Sequence, residues 1–231
     1  MPEWICAGIS ENPVSMNRLI SIMRWRSVAL TALSVPGLCL LLIPALAGHL
    51  GANPLEMLLH RTGEISVWTL GAVLSLTPLR VLFSSSRIIA ALNQHRRAIG
   101  VSAFIYGLLH FAFHILYEGG LDGLTRSLSK PFIWIGLVGL SLLALLAATS
   151  NNLAIRTLGG RNWKRLHRLA YLAGALLIYH QSIAGKGHWH IARWLLFPLA
   201  SLQIGRLIKL LFMKSNRLRS PTFVAPAPSS P

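Results

Sequence analysis

Six apolar runs of near membrane-spanning length, separated by short basic connectors, leave this 231-residue chain few ways to fold. The runs fall at about residues 28–47, 64–83, 98–117, 131–149, 168–184 and 191–211. About 20 apolar residues in a helix cross the hydrocarbon core of a bilayer. Within that core only helices or closed barrels satisfy their own backbone polar groups. Hydrophobic residues make up 53% of the chain and charged residues 12%, roughly half the charged share of a soluble domain. The reading is an all-α membrane protein, a six-helix transmembrane bundle over residues 28–213. Residues 1–27 read as a cytoplasmic lead and 214–231 as a cytoplasmic tail, disordered where Pro, Ser and Ala dominate after Ser220. Pro36, Pro44, Pro78 and Pro198 interrupt several runs, which membrane helices tolerate where neighbours or water re-satisfy the freed carbonyls. No internal repeat stands out.

The charges set an orientation. Net charge is +16, from 22 Lys and Arg against 6 Asp and Glu. On a soluble protein that excess would point to nucleic acid; here it sits in connectors, where topology and anionic lipid account for it and nucleic acid is not expected. Alternate segments collect Arg18, Arg24 and Arg26; Arg80, Arg87, Arg96 and Arg97; Arg156, Arg161, Lys164, Arg165 and Arg168; and Arg206, Lys209, Lys214, Arg217 and Arg219. Only Arg61, Arg126, Lys130, Lys186 and Arg193 fall on the other side, together with Glu56, Glu64, Glu118 and Asp122. The positive-inside rule then puts both termini in the cytoplasm. The first run ends Ala45-Leu46-Ala47, as a cleaved signal would. A long polar lead and near-spanning length favour a retained helix.

A histidine inside a hydrocarbon span is costly unless paired or coordinated. His110 lies 13 residues beyond Arg97, and His180 lies 13 beyond His167. That places both about 20 Å past a basic membrane edge. Two imidazoles at equal depth on neighbouring helices form the axial set of a membrane heme, heme b, with no iron position left open. The competing reading is a histidine that only hydrogen-bonds across helices to a hydroxyl or carbonyl. Phe104, Gly107 and Phe111 beside His110, and Ala173 and Gly174 before His180, fit a porphyrin slot, although such residues are common in membrane helices. His114, one turn beyond His110 on the same face, is the substitute ligand or a propionate donor. On one continuous helix His167 and His180 point about 140° apart, so a single partner face does not meet both. Arg96 and Arg97 suit heme propionates or a flavin phosphate, or simple anchoring. The loop histidines His49, His60, His188 and His190 carry little specific signal. Neither do Cys6 and Cys39, for which a disulfide is not expected.

Several spaced motifs then occur in order. They are Gly51-Ala52-Asn53-Pro54 with His60, Thr62 and Gly63; Thr77-Pro78-Leu79-Arg80; and Arg96-Arg97-Ala98-Ile99-Gly100 with Ala103-Phe104-Ile105-Tyr106 and Leu109-His110. Leu158-Gly159, Trp163, Leu166-His167-Arg168-Leu169, Tyr171 and His180 follow. Over roughly residues 28–213 the chain resembles the MsrQ family, formerly YedZ. Its members are heme-binding membrane subunits of the bacterial periplasmic methionine-sulfoxide reductase system. The resemblance implies a ferric-reductase-like heme domain of six helices in the bacterial inner membrane. It implies His110, His167 and His180 as the heme-associated histidines, with heme b and FMN as cofactors. It further implies electrons arriving from the quinone pool or a cytoplasmic flavin reductase, and leaving to MsrP, a periplasmic molybdopterin subunit. His95 and His114 fall outside the pattern.

The residues themselves support electron movement across a membrane and offer no catalytic pocket for a sulfoxide. No connector is long enough for a nucleotide-binding domain, so the donor is a bilayer-soluble molecule or a separate protein. Glu56, Glu64, Glu118 and Asp122 are the candidate acceptor-docking charges. Two other classes compete: a stand-alone ferric or quinone reductase, and a non-redox transporter or assembly protein.

Overall fold

In the computed structural model the structure describes residues 51–184 and 189–219, residues 43–48, and positions 35, 37, 39 and 41. The lead 1–27, most of the 28–47 run, His49, Lys186, His188 and the tail after Ser220 lie outside the described residues. After one helical turn at Ile43–Leu46, the described helices are α1 Pro54–Leu82, α2 Arg87–Gln94, α3 Arg96–Tyr117 and α4 Leu121–Ser127. They continue with α5 Pro131–Ala148, α6 Asn152–Leu166, α7 Leu169–Ala184 and α8 Trp189–Arg219.

Their starts follow from local chemistry. Asn53 caps α1, its side chain accepting from the Glu56 N–H at 3.3 Å, and Pro54 takes the first helical position, where its missing N–H costs nothing. Ser86 and Asn151 cap α2 and α6 in the same manner, and Pro131 opens α5. α1 therefore begins ten residues earlier than its apolar run. Pro78 and Pro198 lie inside continuous helices.

Four described helices are long and apolar enough to cross a membrane: Pro54–Leu82, Arg96–Tyr117, Pro131–Ala148 and, within α8, Arg193–Asn216. α7 is a shorter apolar helix of 16 residues, about 24 Å long. These five correspond to the second to sixth expected runs; the first lies largely outside the described residues. α7 also starts only at Leu169, because the chain turns at His167, the C-cap of α6. His167 and His180 thus do not share one continuous helix, contrary to the sequence reading.

α1, α3, α5 and α7 form a ring in which each packs on the next, and α8 lies against α1 and α7. Val67, Leu70, Leu74, Ala103, Leu143, Ala173, Leu177, Ile178 and Leu195 plug its middle. Ser66 Oγ donates to the Ala103 carbonyl at 2.8 Å, tying α1 to α3, and Ala103 and Ala173 are fully buried. Small residues that let helices approach, with a hydroxyl bond between them, are how membrane helices associate. The outward faces carry Leu108, Trp134, Val138, Phe197, Leu207 and Phe212 exposed, an apolar belt far larger than a soluble monomer shows.

Candidate functional site

Above the central plug the four ring helices part around a cavity of about 510 Å³, within the usual size range of cofactor sites. α1 contributes Leu59 and Gly63, α3 His110 and His114, α5 Phe132 and Gly136, and α7 His180 and Gln181. The structure brings His110 and His180 together from opposite sides, ring centroids 6.2 Å apart and planes at 82°. A metal–imidazole bond is about 2 Å, so two rings sharing one metal have centres about 6 Å apart.

Both rings are held in the same way. His110 Nδ1 lies 2.8 Å from the Leu59 carbonyl on α1. His180 Nδ1 lies 2.8 Å from the Phe132 carbonyl on α5. A carbonyl only accepts, so each Nδ1 carries the proton and donates, and each Nε2 keeps its lone pair for the cavity. Metal-ligating histidines are oriented by this kind of second bond.

Space for each ring comes from a glycine one turn beyond the accepting carbonyl. A Cβ on Gly63 would lie 2.8 Å from His110 Nδ1, and one on Gly136 would lie 2.7 Å from His180 Cε1. The arrangement therefore occurs twice, as Leu59 and Gly63 under His110, and as Phe132 and Gly136 under His180. The sequence reading quoted Gly63 only within a loop motif and missed Gly136. The cross-helix hydrogen bond of the competing reading is also present, and it uses the nitrogen that a ligand does not need. The donor set, the two glycine cradles and the cavity fit a heme held by two imidazoles.

His114 lines the same cavity, with Nε2 3.4 Å from Ser127 Oγ. That hydroxyl donates to the Leu124 carbonyl at 2.9 Å, so it accepts from His114, which commits His114 Nε2–H to the buried end of α4. Gly119 and Gly120, at φ 87° and 95°, make the turn that folds α4 back; L side chains rarely adopt that conformation.

His167, Arg96 and Arg97 sit at the opposite end of the bundle. The His167 ring stacks on Trp163 with centroids 3.9 Å apart and planes at 30°. Its Nε2 lies 3.3 Å from Thr149 Oγ1. Burial lowers its pKa, an interaction with the Thr149 backbone opposes this, and Arg96 and Arg97 add to the lowering, leaving it below the usual value. Arg97 lies over the Trp163 ring at 5.1 Å and donates to Asn152 Oδ1 at 3.0 Å. Trp163 is buried and donates its indole N–H to the Thr149 carbonyl at 2.8 Å. No second imidazole is placed opposite His167 among the described residues. His95 caps the junction of α2 and α3.

At the cavity end Glu64 pairs with Arg61 at 3.2 Å, Glu118 with Lys130 at 3.5 Å, and Glu56 with His60 at 3.9 Å. Three of the four expected docking acids thus have partners within the chain. No group of three or more His, Cys, Asp or Glu able to hold a bare metal ion occurs among the described residues.

Comparison with known proteins agrees with this layout. Residues 62–178 match the family described as ferric reductase like transmembrane component. The chain is similar to the protein-methionine-sulfoxide reductase heme-binding subunit MsrQ of Ralstonia nicotianae, 41% identical over 149 residues. That match covers 63% of this chain and 66% of the relative. The MsrQ of Polaromonas naphthalenivorans is 38% identical over 139 residues, covering 59% and 62%. That of Brucella anthropi is 41% identical over 130 residues, covering 55% and 56%. In each case the match spans less than two thirds of the relative. The family match runs through His110 and His167 and ends two residues before His180, so it takes in α3, α5 and most of α7. By that match, the chain belongs to the ferric-reductase-like transmembrane component family.

Proposed function

We propose that this protein is an MsrQ-type electron-transfer subunit, carrying electrons across the bacterial inner membrane through heme b held by His110 and His180. The observation that carries the reading is the pair of imidazoles, each tethered through Nδ1 and offering Nε2 to one cavity. Heme, when bound there, would supply a one-electron carrier. The chain's own part is positioning. Leu59 and Phe132 carbonyls fix ring orientation, Gly63 and Gly136 make room, and the Val67–Leu70–Leu143–Leu177 plug closes the cavity's floor against water.

In this reading the cavity end faces the periplasm and the arginine-rich end the cytoplasm, with both termini on the latter side. The electron acceptor is an MsrP-like molybdopterin subunit that performs the sulfoxide chemistry. The donor is quinol or a cytoplasmic flavin reductase. His167, Arg96 and Arg97 belong to the donor side, where FMN, implied by the family resemblance, would find its phosphate partners. His114 supports the cavity wall through Ser127 and would not hold the iron.

The test is spectroscopic and then functional. Purified full-length protein should show a low-spin ferric heme spectrum that a quinol or reduced flavin reductase converts to the sharper-banded ferrous one and an MsrP-like partner reoxidises. Reoxidation by ferric chelates alone would favour a stand-alone reductase. A preparation without any heme band after heme-replete expression would remove the redox reading altogether.

A further inference from the structure

We propose that the arginine-rich end carries a binding surface for anionic phospholipid headgroups, with α2 lying at the boundary between headgroups and acyl chains. The first ground is a charge imbalance within the fold. The ion pairs among the described residues all lie at the cavity end. The four described acids, Glu56, Glu64, Glu118 and Asp122, also belong to that end. Four cations of the other end are held by neutral groups instead. Arg80 donates to the Ser84 carbonyl at 2.8 Å and Arg97 to Asn152. Lys209 donates to the Leu82 carbonyl at 3.0 Å, and Arg206 to Tyr171 Oη at 3.4 Å. These bonds orient the side chains and leave their charge uncompensated. A phosphodiester supplies the negative charge that such groups lack.

The second ground is the surface of α2, which follows directly on the end of α1 that Lys209 caps. Ile88 is 74% and Leu92 45% exposed, with Ala91 exposed between them, while Ile89, Ala90 and Asn93 turn partly inward. On a helix, residues 88, 91 and 92 form one stripe, flanked on one side by exposed Arg87 and Gln94. An apolar stripe beside cations matches the headgroup–acyl boundary. A water-soluble acidic partner would meet the cations and leave Ile88 and Leu92 in water. Lipid is therefore favoured over protein.

The experiment uses the full-length protein with Cys6→Ser and Cys39→Ser, spin-labelled at Ile88→Cys or Gln94→Cys. It is reconstituted in nanodiscs of phosphatidylcholine with or without phosphatidylglycerol. The label at position 88 should relax more with oxygen than with a nickel chelate, and the label at 94 the reverse. Native mass spectrometry of unlabelled protein should show phosphatidylglycerol retained over phosphatidylcholine. Combining Arg80→Gln, Arg206→Gln and Lys209→Gln should lower that preference roughly a hundred-fold. Inorganic phosphate should not displace the lipid. Nickel access at 88 equal to that at 94 would show α2 facing water, as a soluble partner requires, and would overturn the proposal. Equal retention of the two lipids, or displacement by phosphate alone, would overturn it as well.

Discussion

The two ends of the bundle use the same residue types to opposite effect. At the cavity end, His110 and His180 rest on backbone carbonyls over glycines, so their polar needs are met on one side and open space is left on the other. At the arginine-rich end His167 lies flat against Trp163 and Thr149, with Arg97 over the same indole. There the polar groups are spent on joining α3, α5 and α6. An imidazole offers its second nitrogen to open space where a carbonyl takes one nitrogen and a glycine vacates the space beside it. It becomes part of a joint where an aromatic ring fills that space.

Removing the two proposed ligands should break this contrast most completely. His110→Ala and His180→Ala should each abolish the low-spin heme signal while the protein still inserts and purifies, read as heme per protein by pyridine hemochrome. His167→Ala, by the geometry, should leave an iron site at the cavity end. Heme retained in full by both His110→Ala and His180→Ala would remove the assignment.

The cradles come next in size. A methyl group at Gly63 or Gly136 falls within 2.8 Å of an imidazole that is itself held by a backbone bond. The ring must tilt or the helices must part. Groups that orient a metal ligand affect affinity by about 10–100-fold when lost. Gly63→Ala and Gly136→Ala should therefore weaken heme retention by that order and shift the low-spin EPR signal. Gly100→Ala, where a Cβ meets nothing within 4 Å, should do neither.

Much of this was legible in the sequence, and the omissions have physical causes. Apolar length placed the cores of α3 and α5, and histidine depth paired His110 with His180. Those signals are strong because hydrocarbon excludes charge and imidazole. The start of α1 was misplaced because Glu56, His60, Arg61 and Glu64 dilute its first three turns. The Asn53-Pro54 cap that fixes the start was nevertheless present to be read. The carbonyl acceptors had no sequence signal at all, since every residue carries one and only the packing of α3 on α1 and of α7 on α5 selects Leu59 and Phe132. Gly136 was hidden among the glycines of an ordinary membrane helix. The interruption at His167 lacks any proline or glycine, and His167 itself keeps helical dihedrals at φ −68° and ψ −7°; the non-helical break lies earlier, at Gly159 with φ 75° inside α6.

Trp163→Ala sharpens the comparison from the other side. The indole is 5% exposed and holds a hydrogen bond, a stacked ring and a guanidinium. Its loss should destabilise the fold by about 3–5 kcal/mol, as large aromatic deletions do. That would appear as a lower thermal midpoint in detergent. The low-spin signal of protein that remains folded should be unchanged. Loss of that signal in folded Trp163→Ala protein would mean the two ends are coupled, and that His167 takes part in the iron site.

The smallest expected effect is at His114, and it separates a wall from a ligand. Its Nε2–H is committed to Ser127, at a long 3.4 Å, and His110, one turn away, already faces His180. His114→Ala should keep most of the heme, and Ser127→Ala should match it, because each removes the same weak bond. If His114 were instead an axial ligand, the two variants would part: His114→Ala would lose the low-spin signal, whereas Ser127→Ala, by freeing Nε2, would preserve or strengthen it. The pair of spectra therefore decides between the two roles even if both proteins are slightly less stable than the parent.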